Sequence, residues 1–312
     1  MGRSAGFDLL RFVAFMRRVV LIVNPYSSGV TMRRVADVTA ALARRAEVVM
    51  RQTEAKGHAV ELAAAAARDA DALVVFSGDG TYNEAINGAA GKLPFGFIPG
   101  GGASVFPRAL GLPRDPVAAA ACAGEALDAG RALSIGLGRV NGRLFCFSAG
   151  IGFDAEAVRR IDRRGRDLDG RRAGNAAFAA TVVGILFERR LRMPAQLTVE
   201  GYGRAACLFV ANGRPYTYAG PLAVTIAADA DFGGGLDFAA PREISPAAVP
   251  ALAIKGIRGT LRRDARVLSG HDLDGFEVRC DRPLPLQADG EDLGDVTEAS
   301  FSAERGALQV LV

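Results

Sequence analysis

The feature that most constrains the fold is a unit repeated through the first 130 residues: a short apolar run, a polar or glycine-rich turn, then a helical stretch. "RRVVLIVNP" (17–25) reads as a buried strand ending at Asn-Pro. "TMRRVADVTAALARRAE" (31–47) places Met32, Val35, Val38, Ala41 and Leu42 on one helical face. "VVMRQT" is a second strand and "GHAVELAAAAARDA" (57–70) a second helix. "DALVVFSGDG" (71–80) is a third strand with its turn, and helical "YNEAINGAA" follows. "LPFGFIP" is a fourth strand, and "DPVAAAACAGEAL" (115–127), with Pro in its first turn, reads as another helix. This alternation predicts a doubly wound parallel sheet, whose ligands bind outside the carboxyl ends of the strands.

The pattern changes near residue 133. From there strand-like runs separated by turn signals dominate, with helices expected at about 152–163, 173–190 and 246–260. "VNGR" (140–143) is an Asn-Gly hairpin signal. The expected fold class is α/β: an N-terminal doubly wound α/β domain followed by a mainly β, sandwich-like C-terminal domain. The boundaries read as an extension at 1–16, the α/β domain at 17–133 completed by about 300–312, and the second domain at 134–299. A chain of 312 residues, half of them apolar, is long enough for two such cores.

Thirty-eight Lys and Arg against 34 Asp and Glu give a net charge of only +4. That excludes a nucleic-acid binder on charge alone, but suits a visitor to an anionic surface. The four cysteines form no cluster and read as small core residues in a reducing compartment, and two histidines argue against a His-based metal site. The apolar run at 176–187 is too short to span a membrane. The first residues, interrupted by Arg11 and with Gly6 where a myristoylation signal needs Ser or Thr, make a poor signal peptide. A cytoplasmic protein is expected.

Chemistry concentrates in the turns. In "SGDGTYNE" the amides of Gly78 and Gly80, at the start of a helix, can cradle phosphate. Asp79 would repel a bare phosphate, so it implies a divalent cation between them, or a carboxylate that holds the loop or a ribose. A lone Asp-Gly turn with Thr81 as helix cap explains the stretch about equally well. Two further loops favour the nucleotide reading: "NPYSSG" (24–29) after the first strand and "FIPGGGASVFPRALGLP" (97–113) after the fourth. Neither the GxxxxGK[ST] nor the GxGxxG pattern is present.

These motifs resemble the diacylglycerol kinase catalytic family, which includes bacterial lipid kinases, sphingosine kinases and ceramide kinases. The resemblance runs from about residue 17 to 312. The family's Asn-Pro-x-Ser-Gly is matched by Asn24, Pro25, Ser28 and Gly29, and its Gly-Gly-Asp-Gly-Thr-x-Asn-Glu by Gly78, Asp79, Gly80, Thr81, Asn83 and Glu84, with Ser77 in place of the first glycine. Thr53 corresponds to a threonine that contacts nucleotide in the family. "FSAGIGFDAEAV" (147–158), "VANGRPYTYAGPL" (210–222) and "LQADGEDLG" (286–294) match second-domain motifs. The resemblance implies ATP and Mg²⁺ as cofactors, bound by those loops together with Gly101 and Gly102, with Asp79 meeting the metal through Mg-ATP. It implies Asp289 as general base and Glu291 as its supporting carboxylate. The implied reaction moves the γ-phosphate to a primary hydroxyl of a membrane lipid, diacylglycerol first and ceramide or a sphingoid base as the alternative. NAD kinase activity and a non-catalytic lipid-binding relative rank below both.

The chain departs from the family pattern in three places. Gly101, Gly102, Ala103 and Ser104 stand where a hydroxyl and an amide are usual. Gly233 and Gly234 replace an acid that helps bind a structural Mg²⁺ before Leu236-Asp237. Ser77 is the third and mildest departure. Seven arginines in 159–172, among them Arg163, Arg164, Arg171 and Arg172, read either as a solvated loop or as a basic surface for anionic lipid. A peripheral membrane protein is therefore expected, with a second copy of the chain as a further candidate partner.

Overall fold

The computed structural model describes residues 17–102, 104–164, 175–219 and 222–312. The first half runs β1 (Arg17–Val23), α1 (Met32–Ala43), β2 (Ala46–Gln52), α2 (His58–Ala66), β3 (Ala72–Ser77), α3 (Asp79–Ala89), β4 (Phe95–Pro99), α4 (Val105–Ala109) and α5 (Pro116–Asp128). Strands β2, β1, β3 and β4 pair in that order, all parallel. Side chains alternate across a strand, so the apolar run of β1 feeds two cores. Val20 and Ile22 pack with residues of α2 and α3, whereas Val19, Leu21 and Val23 pack with residues of α1 and α5. The sheet is thus covered on both faces, and the direction of winding switches between β1 and β3.

The helix ends follow local chemistry. The Thr31 hydroxyl accepts from the Arg34 amide to start α1. Asp115 caps α5 through the Ala118 amide, with Pro116 in the first turn. Helix α1 is shorter than its apolar periodicity suggests, because Ala46 and Glu47 already pair with β1.

The second half contains β5 (Leu133–Val140), β6 (Arg143–Phe145), β7 (Ser148–Ile151), α6 (Phe153–Arg164), α7 (Asn175–Glu188), β8 (Leu197–Val199), β9 (Gly203–Ala205) and β10 (Leu208–Ala211). It continues through β11 (Thr217–Ala219), β12 (Leu222–Val224), β13 (Leu236–Pro241), α8 (Val249–Ile257), β14 (Val267–Leu273), β15 (Gly275–Ala288) and β16 (Glu291–Val310). This half is sheet-rich and its pairings are antiparallel, with β7 between β10 and β15. Phe238, Phe276 and Phe301 anchor its core, with successive ring centroids 5.0 and 4.9 Å apart.

Two hairpins are built on pairs of residues with positive φ. Asn141 and Gly142, at φ 46° and 85°, join β5 to β6. Asp289 and Gly290, at φ 49° and 77°, join β15 to β16, with Ala288 paired to Glu291 across the turn. Positive φ at both central residues is what a two-residue turn needs to match strand twist. Strand β16 then runs antiparallel to β5 and ends beside β4, where Val310 pairs in parallel with Phe95. One sheet therefore passes through both halves.

Cys146 and Cys207 are buried as expected, while Cys122 and Cys280 are only partly buried, and all four thiols are free. No helix among the described residues is long and apolar enough to cross a membrane.

Candidate active site

Three of the turns read from the sequence meet at the carboxyl ends of β1, β3 and β4, and they meet backbone to backbone. The Gly29 amide donates to the Gly100 carbonyl at 2.7 Å, the Gly100 amide to the Ser77 carbonyl at 2.6 Å, and the Ser27 hydroxyl to the Gly100 carbonyl at 2.9 Å. The approach explains the glycines. A Cβ on Gly29 would lie 2.7 Å from the Gly100 oxygen, and one on Gly101 would lie 2.7 Å from the Gly78 Cα. A Cβ on Gly102 would only just reach the Ser28 hydroxyl, 4.0 Å away. Asn24 turns the first loop with its own side chain, accepting from the Tyr26 amide, and donates to the Thr81 hydroxyl at 3.0 Å. Pro25 is exposed beside it, and Thr53, buried, follows β2 with its amide on the Val23 carbonyl.

Helix α3 begins at Gly78 with no side-chain cap, so Thr81 is not the cap that a bare Asp-Gly turn would require. Its hydroxyl instead accepts from Ser77 at 2.8 Å, which gives the departure at Ser77 a local partner. Beyond the first turn the motif residues point in different directions, as a 3.6-residue period demands. Glu84 faces α2, where its carboxylate accepts from the Ala59 amide and so caps that helix. Gly88, one turn on, closes against the Val60 carbonyl. Asn83 and Asn87 face the second half: both donate to the Leu144 carbonyl, and Asn83 also donates to Asp289 Oδ2 at 2.8 Å. The structure thus brings Asn24, Ser28, Gly29, Gly78, Asp79, Gly80, Thr81, Gly101 and Gly102 to one set of loops. It directs the side chains of Asn83 and Glu84 elsewhere.

Asp289 lies at the tip of its hairpin yet is buried, 5% exposed. Its carboxylate accepts from the amides of Cys146, Phe147 and Ser148 and from Asn83. Burial raises the carboxyl above its usual range and these donors oppose the rise. Two residues on, Glu291 Oε2 accepts from Arg143 at 2.8 Å, while its Oε1 lies 3.1 Å from where a Gly80 Cβ would stand. The acid pair of the second half therefore touches the turn of the first.

Asp79 has a different setting. Its two oxygens accept from the amides of Val105 and Phe106, the first turn of α4, each at 2.9 Å. Desolvation of this carboxyl outweighs those bonds, and with Asp289 nearby pushes it up to about 6. Of the roles open to Asp79, the structure shows the loop-holding one. Each oxygen has spent one lone-pair direction, so the residue also fits a cation that arrives on phosphates and needs one or two carboxylates from the protein.

The acids around the expected structural Mg²⁺ position already have protein partners. Asp237 accepts from the Asp272 amide and contacts His271 Nδ1, Asp272 holds the Gly235 amide and Arg305, and Asp231 holds the Gly233 amide. Asp229 nearby in the chain pairs with Arg262 at 2.8 Å. No group of three acids, histidines or cysteines among the described residues could hold a metal ion.

Arg143 and Asn87 escaped the motif reading. Arg143 Nη2 donates to Asn83 Oδ1 at 2.7 Å as well as to Glu291. The Asn-Gly hairpin before it was legible and fixes it as the first residue of β6, but hairpin spacing says nothing of what a side chain meets. The side chain of Arg164, and Arg171 and Arg172 entirely, lie outside what the structure describes; Arg163 is exposed on α6.

Residues 18–140 match the model of the diacylglycerol kinase catalytic domain. The chain is 35% identical over 143 residues to a diacylglycerol kinase of Bacillus subtilis, covering 44% of this chain and 46% of the relative. It is 33% identical over 156 residues to a diacylglycerol kinase of Mycobacterium tuberculosis, covering 47% and 49%. The chain thus spans about half the length of the curated relatives it matches. A crystal structure of a diacylglycerol kinase from Bacillus anthracis superposes with a TM-score of 0.70 at 20% identity, over 95% of this chain and 97% of the other. An NAD kinase from Archaeoglobus fulgidus in complex with ATP superposes at 0.50 with 13% identity, over 94% and 93%. At such identities these two likenesses establish the fold alone. The match to the diacylglycerol kinase catalytic domain thus covers residues 18–140, less than half of the chain.

Proposed function

We propose that this protein is an ATP-dependent lipid kinase that transfers the γ-phosphate of ATP to a primary hydroxyl of a membrane lipid, with diacylglycerol giving phosphatidic acid. The observation that carries this reading is the direct bond from Asn83, on the nucleotide helix, to Asp289, on the hairpin of the second half. It joins the helix that starts at the glycine turn to a carboxylate of the second half, and in this reading the acceptor hydroxyl stands between the two. In the same reading the loops of Asn24–Gly29, Gly78–Thr81 and Gly101–Gly102, with Thr53 beside them, hold the phosphates through backbone amides and short polar groups. Asp79 would hold Mg²⁺ carried by the nucleotide; when bound, such an ion neutralises charge on the phosphates. Asp289 accepts the proton of the attacking hydroxyl. Its four donors mean that the hydroxyl must share an oxygen with one of them, and they keep the carboxylate fixed in place. Phosphoryl transfer depends mainly on positioning and charge neutralisation, so a fixed acceptor suits the reaction.

A kinase of an insoluble substrate must approach a bilayer. Exposed Arg163 on α6 and exposed Val183 and Phe187 on α7 offer a basic and apolar edge for anionic lipid. The decisive experiment incubates the purified chain with labelled Mg-ATP and, separately, vesicles of diacylglycerol, ceramide or sphingosine, and with NAD. Label in phosphatidic acid is the expected result. Label in NAD, or in no acceptor, overturns the reading.

A further inference from the structure

Asn83 can donate to Asp289 only if its amide faces one way, and the structure shows what holds it. Its Nδ2 lies between two acceptors, Asp289 Oδ2 at 2.8 Å and the Leu144 carbonyl at 2.9 Å. Its Oδ1 lies between two donors, Arg143 Nη2 at 2.7 Å and Asn87 Nδ2 at 3.1 Å. The shorter of those two contacts comes from a guanidinium, and charge-assisted bonds are the stronger class. Turning the amide over would set its NH₂ against the Arg143 donors and its oxygen against the Asp289 carboxylate. Arg143 is itself anchored at the start of β6 by the Asn141–Gly142 turn and by its bond to Glu291.

We infer that Arg143 is a positioning residue of the transfer reaction: it fixes the Asn83 amide so that Asn83 donates to Asp289, a bond that favours the ionised carboxylate facing the acceptor hydroxyl. The inference rests on the lipid-kinase reading for its reaction, but not for its geometry. Two titratable groups coupled to Asp289 do not help to keep it ionised. Asp79, across the site, disfavours a second negative charge. The Cys146 thiol, itself pushed far up by burial and by the Asp289 charge, stays neutral. Glu291, two residues on, pairs with Arg143. Without Arg143, Asn87 alone holds the Asn83 oxygen through the longer contact, so the donor to Asp289 is less firmly fixed, and a positive charge leaves the neighbourhood. Both changes favour protonation.

The test compares the full-length wild type with Arg143→Met and Arg143→Lys. The carboxyl ¹³C resonance of Asp289, assigned by its loss in Asp289→Asn, is followed against pH. So is the acid limb of kcat with diacylglycerol vesicles and Mg-ATP. Loss of one donor to a carboxylate corresponds to a rise of about one to two pH units. Arg143→Met should therefore raise the Asp289 midpoint by up to about that much and move the acid limb with it, while Arg143→Lys, which keeps a charge and a donor, recovers part of the shift. An unchanged Asp289 midpoint in folded Arg143→Met overturns the inference, and so does a shift that Arg143→Lys fails to reduce. If the wild type phosphorylates no lipid yet the midpoint shifts as stated, the positioning role stands and the lipid-kinase reading falls.

Discussion

Two Asp-Gly pairs meet at this site, and they are built on opposite plans. Asp79-Gly80 opens a helix after a parallel strand, and its carboxylate ties down a neighbouring loop through two amides of α4. Asp289-Gly290 closes an antiparallel hairpin, and its carboxylate is wrapped by four donors. The glycines differ as well. Gly80 has ordinary helical geometry and is small because Glu291 stands against it, whereas Gly290 has φ 77° and open space around it. The same dipeptide serves close approach in one place and backbone conformation in the other. Identical local sequence is thus no guide to what a residue contributes.

Substitutions can break that comparison. The largest effect is expected from Asp79→Ala, which removes the loop anchor and the carboxylate assigned to the cation: turnover should vanish and Mg-ATP affinity should fall, by calorimetric titration. Normal turnover with unchanged affinity would remove Asp79 from the site. Asp289→Asn should lower kcat by about 10²–10⁴-fold with ATP affinity nearly intact. Because its new NH₂ donors must face amide donors, it should also cost about 1–3 kcal/mol of stability in urea unfolding. A kcat within a few-fold of wild type would show that Asp289 anchors the hairpin and takes no proton.

Acidity sharpens the contrast. The carboxyl of Asp79 is raised in the folded state from 3.8 to about 6, so the protein binds this proton more tightly than the unfolded chain does. Its contribution to stability is therefore fully present below about pH 4 and is lost as pH rises through about 6. A rise of that size corresponds to at most about 3 kcal/mol. The stability advantage of wild type over Asp79→Asn should grow as pH falls from 7 to 4, measured by urea unfolding at each pH. A flat difference would mean that the Asp79 charge is better solvated than its surroundings indicate. The smallest effect belongs to Gly290→Ala, where only backbone strain is at stake. About 1–2 kcal/mol of stability should be lost with little change in ATP affinity. Gly80→Ala should do the reverse, disturbing turnover through Glu291 more than it disturbs stability.

Much of this was legible in the residues. The α/β half could be read because β-branched runs, caps such as Thr31 and Asp115, and glycine turns are local signals. The Asp-Gly-Glu segment was identifiable by resemblance, although as an isolated turn it looks like surface. What could not be read was direction. Asn83 and Glu84 are adjacent in a nucleotide motif, yet one reaches the second half and the other caps α2, because that choice depends on how α3 is rotated against its neighbours. Arg143 was hidden for a related reason: its partners lie on α3 and β16, and no spacing along the chain encodes that meeting.

Strand β16 has a consequence for how such a molecule is made. Its end supplies the partner of β4, so residues 95 and 310 must find each other across most of the chain. Closing so long a loop is entropically costly, and folds dominated by such contacts fold slowly. During synthesis, the edge of the first-made sheet has no strand to cover it until residue 310 has left the ribosome. For that interval β4 is an open edge of the kind that invites pairing with other chains. The half that is translated first is the half that is finished last.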